Sequence, residues 1–527
     1  MHLVIRIVTL LLAFAIALGA CAPAQQQSPG QILTRAMTDE PVAIDPHGAA
    51  NSGLNLVLPY LYDTLVTRQR DGKLLPLLAE SWQVSPDGKS IDFKLKEGVK
   101  FHDGTPLNAE AVVFTFERFK KEGTKSPIYG NIKEIESVEP IDPRTVRFSF
   151  VKPNAAFIST LAMPHAGIMS PTAAKAAGDE IGSKPVGTGP FKLGEWQRGV
   201  SITLVRNPDY NWGSPEVENR GPVKFEKLVF KLIPDASTQL SALQTGEVDV
   251  LFTNEPSHLT KLEADPNVAV ERVDLDALVY LGYNCAKPPF DDAKVRRALS
   301  HAVNKSEIIA TALGGLGTEA NTLLAPSMLG YSEEVKQFAP GYDPAKAKAL
   351  LAEAGFVQQS DGTWERGGQK LAGKLLTSTR APNDAIATVL QAQFKAIGVP
   401  VEIQQLDSAA VMKATTEGAF DLLLWRYEWN DPDGLNIFLS TARIRQTNRV
   451  FYSNPKVDAL FEAGLREFDT EKRAAIYVEA QKLILSDAAW QPLYNPVEGM
   501  AVGKHVKGVR VGALGRMLVN DVTLTAM

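Results

Sequence analysis

Asp421-Leu422-Leu423-Leu424-Trp425-Arg426-Tyr427-Glu428-Trp429-Asn430-Asp431-Pro432-Asp433 is the stretch that sets the fold. Its three consecutive leucines are a short apolar run of the kind a buried strand supplies. Aromatic and charged residues follow at once, and Pro432 stops any regular element. Aromatic faces mixed with charges at the end of a buried strand make a poor core and a good pocket wall. Pockets combine apolar surface with a few placed polar groups, and in α/β proteins they lie at strand ends. The plainer alternative is an ordinary strand end whose tryptophans cap the core.

Working outward, strands and helices are interspersed as an α/β protein requires. Ile91 to Leu95 alternates after the turn Pro86-Asp87-Gly88, and Thr145 to Phe150 alternates after Asp142-Pro143, so both read as strands. Asn108 suits the cap of a helix carrying Val112, Phe116 and Phe119 on one face, with Gly123 beyond its end. Asp343-Pro344 opens a second helix that Gly355 stops. A third runs from Asn383 to Ile397, ends at Gly398 and gives way to a strand at Val401 to Ile403. Thr470 reads as the cap of a fourth, with Ile476, Ala480 and Leu483 on its buried face. No self-similarity appears at solenoid periods. Val279 to Asn284 and Gln491 to Tyr494 are the expected crossings between lobes.

At 527 residues the chain exceeds one core and suits two or three lobes. Its 55 basic and 60 acidic residues give a net charge of −5, with no basic stripe to suggest nucleic acid. Arg6 flanks an apolar run from Ile7 to Leu18 that ends in Leu18-Gly19-Ala20-Cys21. That run is shorter than the roughly 20 residues a bilayer span needs, and it suits a signal peptide. Ala22 to Gly30, rich in Gln and Pro, reads as a flexible tether. The only other cysteine is Cys285, so with Cys21 used elsewhere no internal disulfide forms. The seven histidines make no HExxH pair, and there is no Walker A or GxSxG sequence. No metal, cofactor or catalytic triad is therefore expected. His102, in Phe-His-Asp-Gly, reads as a turn former.

Leu75-Pro-Leu-Leu-Ala-Glu-Ser-Trp-Gln-Val-Ser-Pro-Asp-Gly-Lys89, followed by Phe93 to Gly104, resembles solute-binding protein family 5, the extracytoplasmic receptors of peptide and nickel ABC importers. Pro185 to Phe191, Gly246-Glu-Val-Asp249, Pro289 to Asp292 and Val295 to Leu299 extend the resemblance in order over nearly all of the chain. Leu18 to Cys21 resembles a bacterial lipobox, which implies cleavage before Cys21 and lipid attachment to its sulfur. The resemblance implies an α/β, two-lobed periplasmic-binding-protein-like fold with an extra subdomain inserted in the first lobe. The expected division is a leader over 1–20, a tether over 21–30, lobe I over 31–278 with the insert at about 67–200, lobe II over 279–492, and a return to lobe I over 493–527.

The peptide-binding branch of that family pairs an acidic residue after the tryptophan with the ligand's α-amino group, and the matching position here is Glu428. A buried ammonium needs a carboxylate, although the family's usual residue is Asp, and Arg426 or Arg443 could claim Glu428 instead. Arg380 matches the place where dipeptide receptors hold the ligand carboxylate, which a guanidinium fork fits. Trp425, Tyr427 and Trp429 are expected to pack against ligand if they share one face, and Asp431 completes the acidic set. Tyr494 matches a ligand-contacting tyrosine, and Ala49, Ala50 and Asn51 match first-lobe contacts.

The function implied is an extracytoplasmic, lipid-anchored and monomeric receptor that passes a short peptide to an ABC permease and its ATPase subunits. Oligosaccharide, nickel-chelate and opine solutes are the alternatives within the family. A different class, a secreted glycoside hydrolase, would need Glu428 and Asp431 as its carboxylate pair.

Overall fold

The computed structural model describes residues 31–49 and 51–525, so the leader, the whole tether with Cys21, and Ala50 lie outside the described residues. The first described strand lies in the middle of the lobe I sheet. Ile32–Met37 pairs in parallel with Lys227–Leu232 on one side and Val250–Thr253 on the other. Antiparallel Ser201–Arg206 and Phe191–Gln197 complete that flank. The opposite flank is the C-terminal half of Trp490–Gly503, bordered by Val268–Asp274.

The inserted subdomain has its own antiparallel sheet, in the order Ala79–Val84, Ser90–Leu95, Thr145–Phe150, Ile135–Asp142. The helix Ala109–Glu122 packs on it, capped by the Asn108 side chain, which accepts from the Ala111 amide at 3.0 Å. Val112, Phe116 and Phe119 are fully buried, and Phe116 meets Phe148 edge-on at 4.9 Å. Leu78, Phe93 and Trp82 of the family-like stretch belong to this core, so they report the fold and not the ligand. The insert is shorter than 67–200, because Phe191–Gln197 pairs into the main lobe I sheet. The turn before that strand presses against the end of the helix Ser52–Leu61. A Cβ at Gly187 would stand 2.2 Å from the Leu61 carbonyl oxygen, which explains the Gly-Thr-Gly spacing. His102 is fastened to the same turn, its Nε2 lying 3.0 Å from the Gly189 oxygen.

Lobe II has a second sheet, ordered Val401–Leu406, Gly373–Ser378, Leu422–Glu428, Ala277–Tyr283 and then the N-terminal half of Trp490–Gly503. The helix Asn383–Ala396 runs into Gly398, whose φ of +86° favours glycine there. The helix Thr470–Ser486 starts one residue differently from expectation. Asp469 is the cap, accepting from the Lys472 amide at 3.0 Å, and Arg473, Tyr477, Ala480 and Ile484 form the buried face in place of Ile476 and Leu483.

The lobes join where Trp490–Gly503 leaves one sheet for the other and where Val268–Asp274 continues into Ala277–Tyr283. The two passages lie side by side. The Leu275 amide donates to the Pro496 oxygen at 3.0 Å, and Asn495 Nδ2 donates to the Ala277 oxygen at 2.8 Å. Both passages fall a few residues from the expected positions. Val279–Tyr283 and Gln491–Tyr494 are already paired inside the lobe II sheet.

Candidate functional site

The alternation of Leu422–Glu428 decides which side chains reach the space between the lobes. Leu423 and Tyr427 pack on one face, in the core shared with Trp490, Leu435 and Tyr477. Leu422 and Leu424 pack on the other, with Leu281, Leu375 and Leu390. Arg426 and Glu428 continue that second face past the end of its core, and they line the cleft. Arg426 Nη2 bonds Glu428 Oε2 at 2.7 Å, with the two side chains 37% and 51% exposed.

The cleft holds two chambers of about 620 and 560 Å³ that share Asn254, Arg380, Arg426, Glu428, Pro496 and Val497. The first is bounded by Trp425, Val279 and Tyr494. The second runs under lobe I and is bounded by Arg35, Phe252, His165, Trp429 and Glu498. Both volumes are of the size that takes a small organic ligand. The shared wall carries two arginines and one glutamate beside the crossing strands, which suits a ligand with charges of both signs.

Six of the eight expected ligand residues therefore border or approach the cleft unevenly. Glu428, Trp425, Trp429, Arg380 and Tyr494 line it. Asn51 stands beside it. Its side-chain oxygen accepts from the Leu54 amide at 2.7 Å as a helix cap, while its neighbours Ser52 and Gly53 face the second chamber. Ala49 does not line either chamber.

Tyr427 and Asp431 are corrected by the structure. Tyr427 is on the core face and 2% exposed, edge-on to Phe438 at 5.3 Å. Strand alternation puts it behind the sheet from Glu428. Asp431 is also 2% exposed, and both carboxylate oxygens are taken. Arg473 Nη2 and Nη1 bond Oδ1 and Oδ2 at 2.6 and 2.9 Å, and the Ser159 hydroxyl donates to Oδ2 at 2.6 Å. Burial opposes its ionisation, but the Arg473 charge and these bonds outweigh it and hold the carboxyl below its usual range. The carboxylate pair of the hydrolase reading is thus not formed.

Arg35, Arg426, Glu498 and Asn254 line the cleft and were not singled out as ligand residues from sequence. Arg35 and Glu498 carried a signal, a lone charge inside the apolar runs Ile32–Met37 and Val497 to Val502. Burial drives the Glu498 carboxyl above its usual range, against the pull of Arg35, Arg426 and Arg380. Among the described residues no group of three His, Cys, Asp or Glu side chains is placed to hold a metal, and no helix is long and apolar enough to cross a membrane.

Residues 73–446 match the bacterial extracellular solute-binding proteins, family 5 (Middle). The chain belongs to this family. It is 32% identical over 463 residues to heme-binding protein A of Haemophilus influenzae, covering 82% of this chain and 81% of that one. It is 30% identical over 461 residues to the glutathione-binding protein GsiB of Escherichia coli, covering 85% and 86%. Its fold is similar to the periplasmic binding protein DppA of Helicobacter pylori in complex with the peptide STSA. The TM-score there is 0.75 at 29% identity, over 95% of this chain and 100% of that one. The family 5 assignment agrees with the two-lobed fold. It also places the chain among the extracytoplasmic components that work with ABC transporters.

Proposed function

We propose that this family 5 protein captures a short peptide or peptide-like solute between its lobes and delivers it to an ABC permease. The observation that carries this reading is the shared wall of the two chambers, where Glu428 offers a carboxylate to an ammonium and Arg380 a guanidinium fork to a carboxylate. Relatives named for glutathione and a structural neighbour holding a peptide support the same solute class. Trp425 and Trp429 supply apolar walls for side chains or for the peptide backbone.

Cys21, the cysteine after Leu-Gly-Ala, is the proposed site of lipid attachment, and the chain acts as a monomer on the outer side of a membrane. Burial of about 0.8 kcal/mol per methylene makes two or more acyl chains a stable anchor. Isothermal titration of the purified chain with dipeptides, tripeptides and glutathione tests the solute class. Saturable binding of at least one is expected, and no heat with any of them at millimolar concentration overturns the reading. Loss of membrane association in Cys21→Ser cells tests the anchor.

A further inference from the structure

The floor of the lobe I chamber carries a guanidinium that, among the described residues, no protein carboxylate reaches within ion-pair distance, although Glu498 of the same chamber acts on it from farther off. Arg35, at the centre of the main sheet, is 7% exposed and lines the second chamber. Among the described residues it forms no ion pair, and its Nε has no hydrogen-bond partner. The guanidinium lies 4.1 Å over the Phe252 ring, with the Tyr60 hydroxyl close by. Two other arginines of the same chamber show the contrast. Arg68 is bonded to Asp276 at 2.6 Å and Arg516 to Glu216 at 2.8 Å. Glu498 is felt by Arg35 only beyond ion-pair range. Arg380, on the lobe II side, also forms no ion pair among the described residues.

A buried guanidinium without a counter-charge is costly, and it recovers that cost when a carboxylate reaches it in a water-poor cleft. We propose that Arg35 anchors a second ligand carboxylate, so that the preferred solute is a short peptide with two carboxylates and one ammonium. The carboxylate beside the ammonium pairs with Arg380 and Arg426 in lobe II, the ammonium with Glu428, and the remote carboxylate, the glycine one in glutathione, with Arg35 in lobe I. The arrangement rests on the reading of the cleft as a peptide site and narrows it. A peptide with neutral side chains leaves Arg35 unpaired as the cleft closes. An acidic or γ-linked peptide does not.

The test is calorimetry with glutathione, which has two carboxylates and one ammonium, its glycine ethyl ester, which has one carboxylate fewer, and dialanine. The wild-type chain is expected to bind the diacid at least tenfold more tightly than the ester. Arg35→Met, which keeps the packing over Phe252, is expected to erase that preference and to leave ester affinity within about threefold. The ligand-free variant should melt no lower than wild type, since it loses an unpaired charge; a structural ion pair would make it melt lower. Arg35→Gln, which removes the charge and keeps a polar head, supplies the same comparison if the Met variant does not fold. An unchanged preference in the variants, or equal binding of diacid and ester by wild type, overturns the role of Arg35 while the peptide reading stands. Absence of binding to all three probes removes the peptide reading and this inference together.

Discussion

Ser159 in the inserted subdomain donates a hydrogen bond of 2.6 Å to Asp431 in lobe II, so one buried carboxylate fastens two separate parts of the molecule. Asn430 Nδ2 donates to the Ser159 carbonyl at 2.7 Å, and the Ala155 amide donates to the Leu465 oxygen at 2.9 Å, so the fastening has three strands. It sits directly behind Trp429, at the rim of the second chamber. Ser159→Ala removes one bond while Arg473 still satisfies Asp431. The expected cost is about 1 kcal/mol. If the clasp forms with closure, the same loss weakens ligand binding about fivefold, because ligand must then hold the lobes together without it. Calorimetry and thermal melting check both figures. Unchanged affinity would mean that the clasp is indifferent to closure. Asp431→Ala is a harsher change, since it leaves Arg473 buried without a partner, and about 3 kcal/mol or more of stability should be lost.

Glu428 separates ligand binding from stability. Its pair with Arg426 is half in solvent, so Glu428→Gln should shift stability by under about 1 kcal/mol. A peptide ammonium in the cleft would lose its only carboxylate on that wall, and affinity should fall by about 2 kcal/mol or more, roughly 30-fold. Acetylating the peptide's amino group should cost wild type a similar factor and the variant almost nothing. Additive losses from the two changes would place the ammonium elsewhere.

Acid sensitivity is expected from buried histidines, with one carboxyl acting against them. Burial pushes His47 down to about 3 and His102 and His165 down to about 4, so the folded protein keeps them neutral where the unfolded chain protonates them near 6.5. The stability they contribute is complete above pH 6.5 and is lost as pH falls towards 4. Asp433 has the opposite sign. Burial, and then the Asp431 charge, raise it to about 7, so its protonated form favours folding and stability declines as pH rises from about 4 to 7. Three groups outweigh one, and the melting temperature should drop on acidification below pH 6.5. Asp433→Asn should make that drop steeper and should stabilise the protein at pH 8, by at most about 4 kcal/mol. Melting curves at pH 5 and pH 8 for both proteins decide it. A variant no more stable than wild type at pH 8 would remove Asp433 from the account.

Much of the scaffold was legible in local chemistry. Asn108 capping a helix with Val112, Phe116 and Phe119 inward, and Gly398 closing another, are set by neighbours a few residues away. The strand Leu422–Glu428 was legible for the same reason, since three leucines are buried whichever way the sheet faces. The facing of that strand was not. Tyr427 and Trp425 share a face as alternation demands, but the core that includes the helix Thr470–Ser486 shuts in Tyr427 and leaves Trp425, nearer its edge, bordering the first chamber. Asp431 misled because its partners, Arg473 and Ser159, are 42 and 272 residues away. Arg35 was overlooked because a charge in a central strand has meaning only once the chamber beneath it is seen.

The lobes are joined by two adjacent passages, 274–277 and 494–497, tied by the Leu275–Pro496 and Asn495–Ala277 bonds. Few residues there need to change backbone angles for the lobes to rotate, which is the arrangement of a hinge. The charged groups that line the cleft are split across it, Arg35 in lobe I, Arg380 and Glu428 in lobe II. A ligand bonded to both sides has a lower free energy with the lobes together, so it shifts the population towards closure. Turning a mostly open receptor into a mostly closed one takes about 5.5 kcal/mol of differential affinity, within reach of two ion pairs in a water-poor cleft. Small-angle scattering with saturating ligand should therefore show a smaller radius of gyration than the free protein. Glu428→Gln, at a ligand concentration that leaves it unoccupied, should keep the free value. If calorimetry shows full occupancy and the radius stays unchanged, the passages are not a hinge and the cleft accepts its solute without closing.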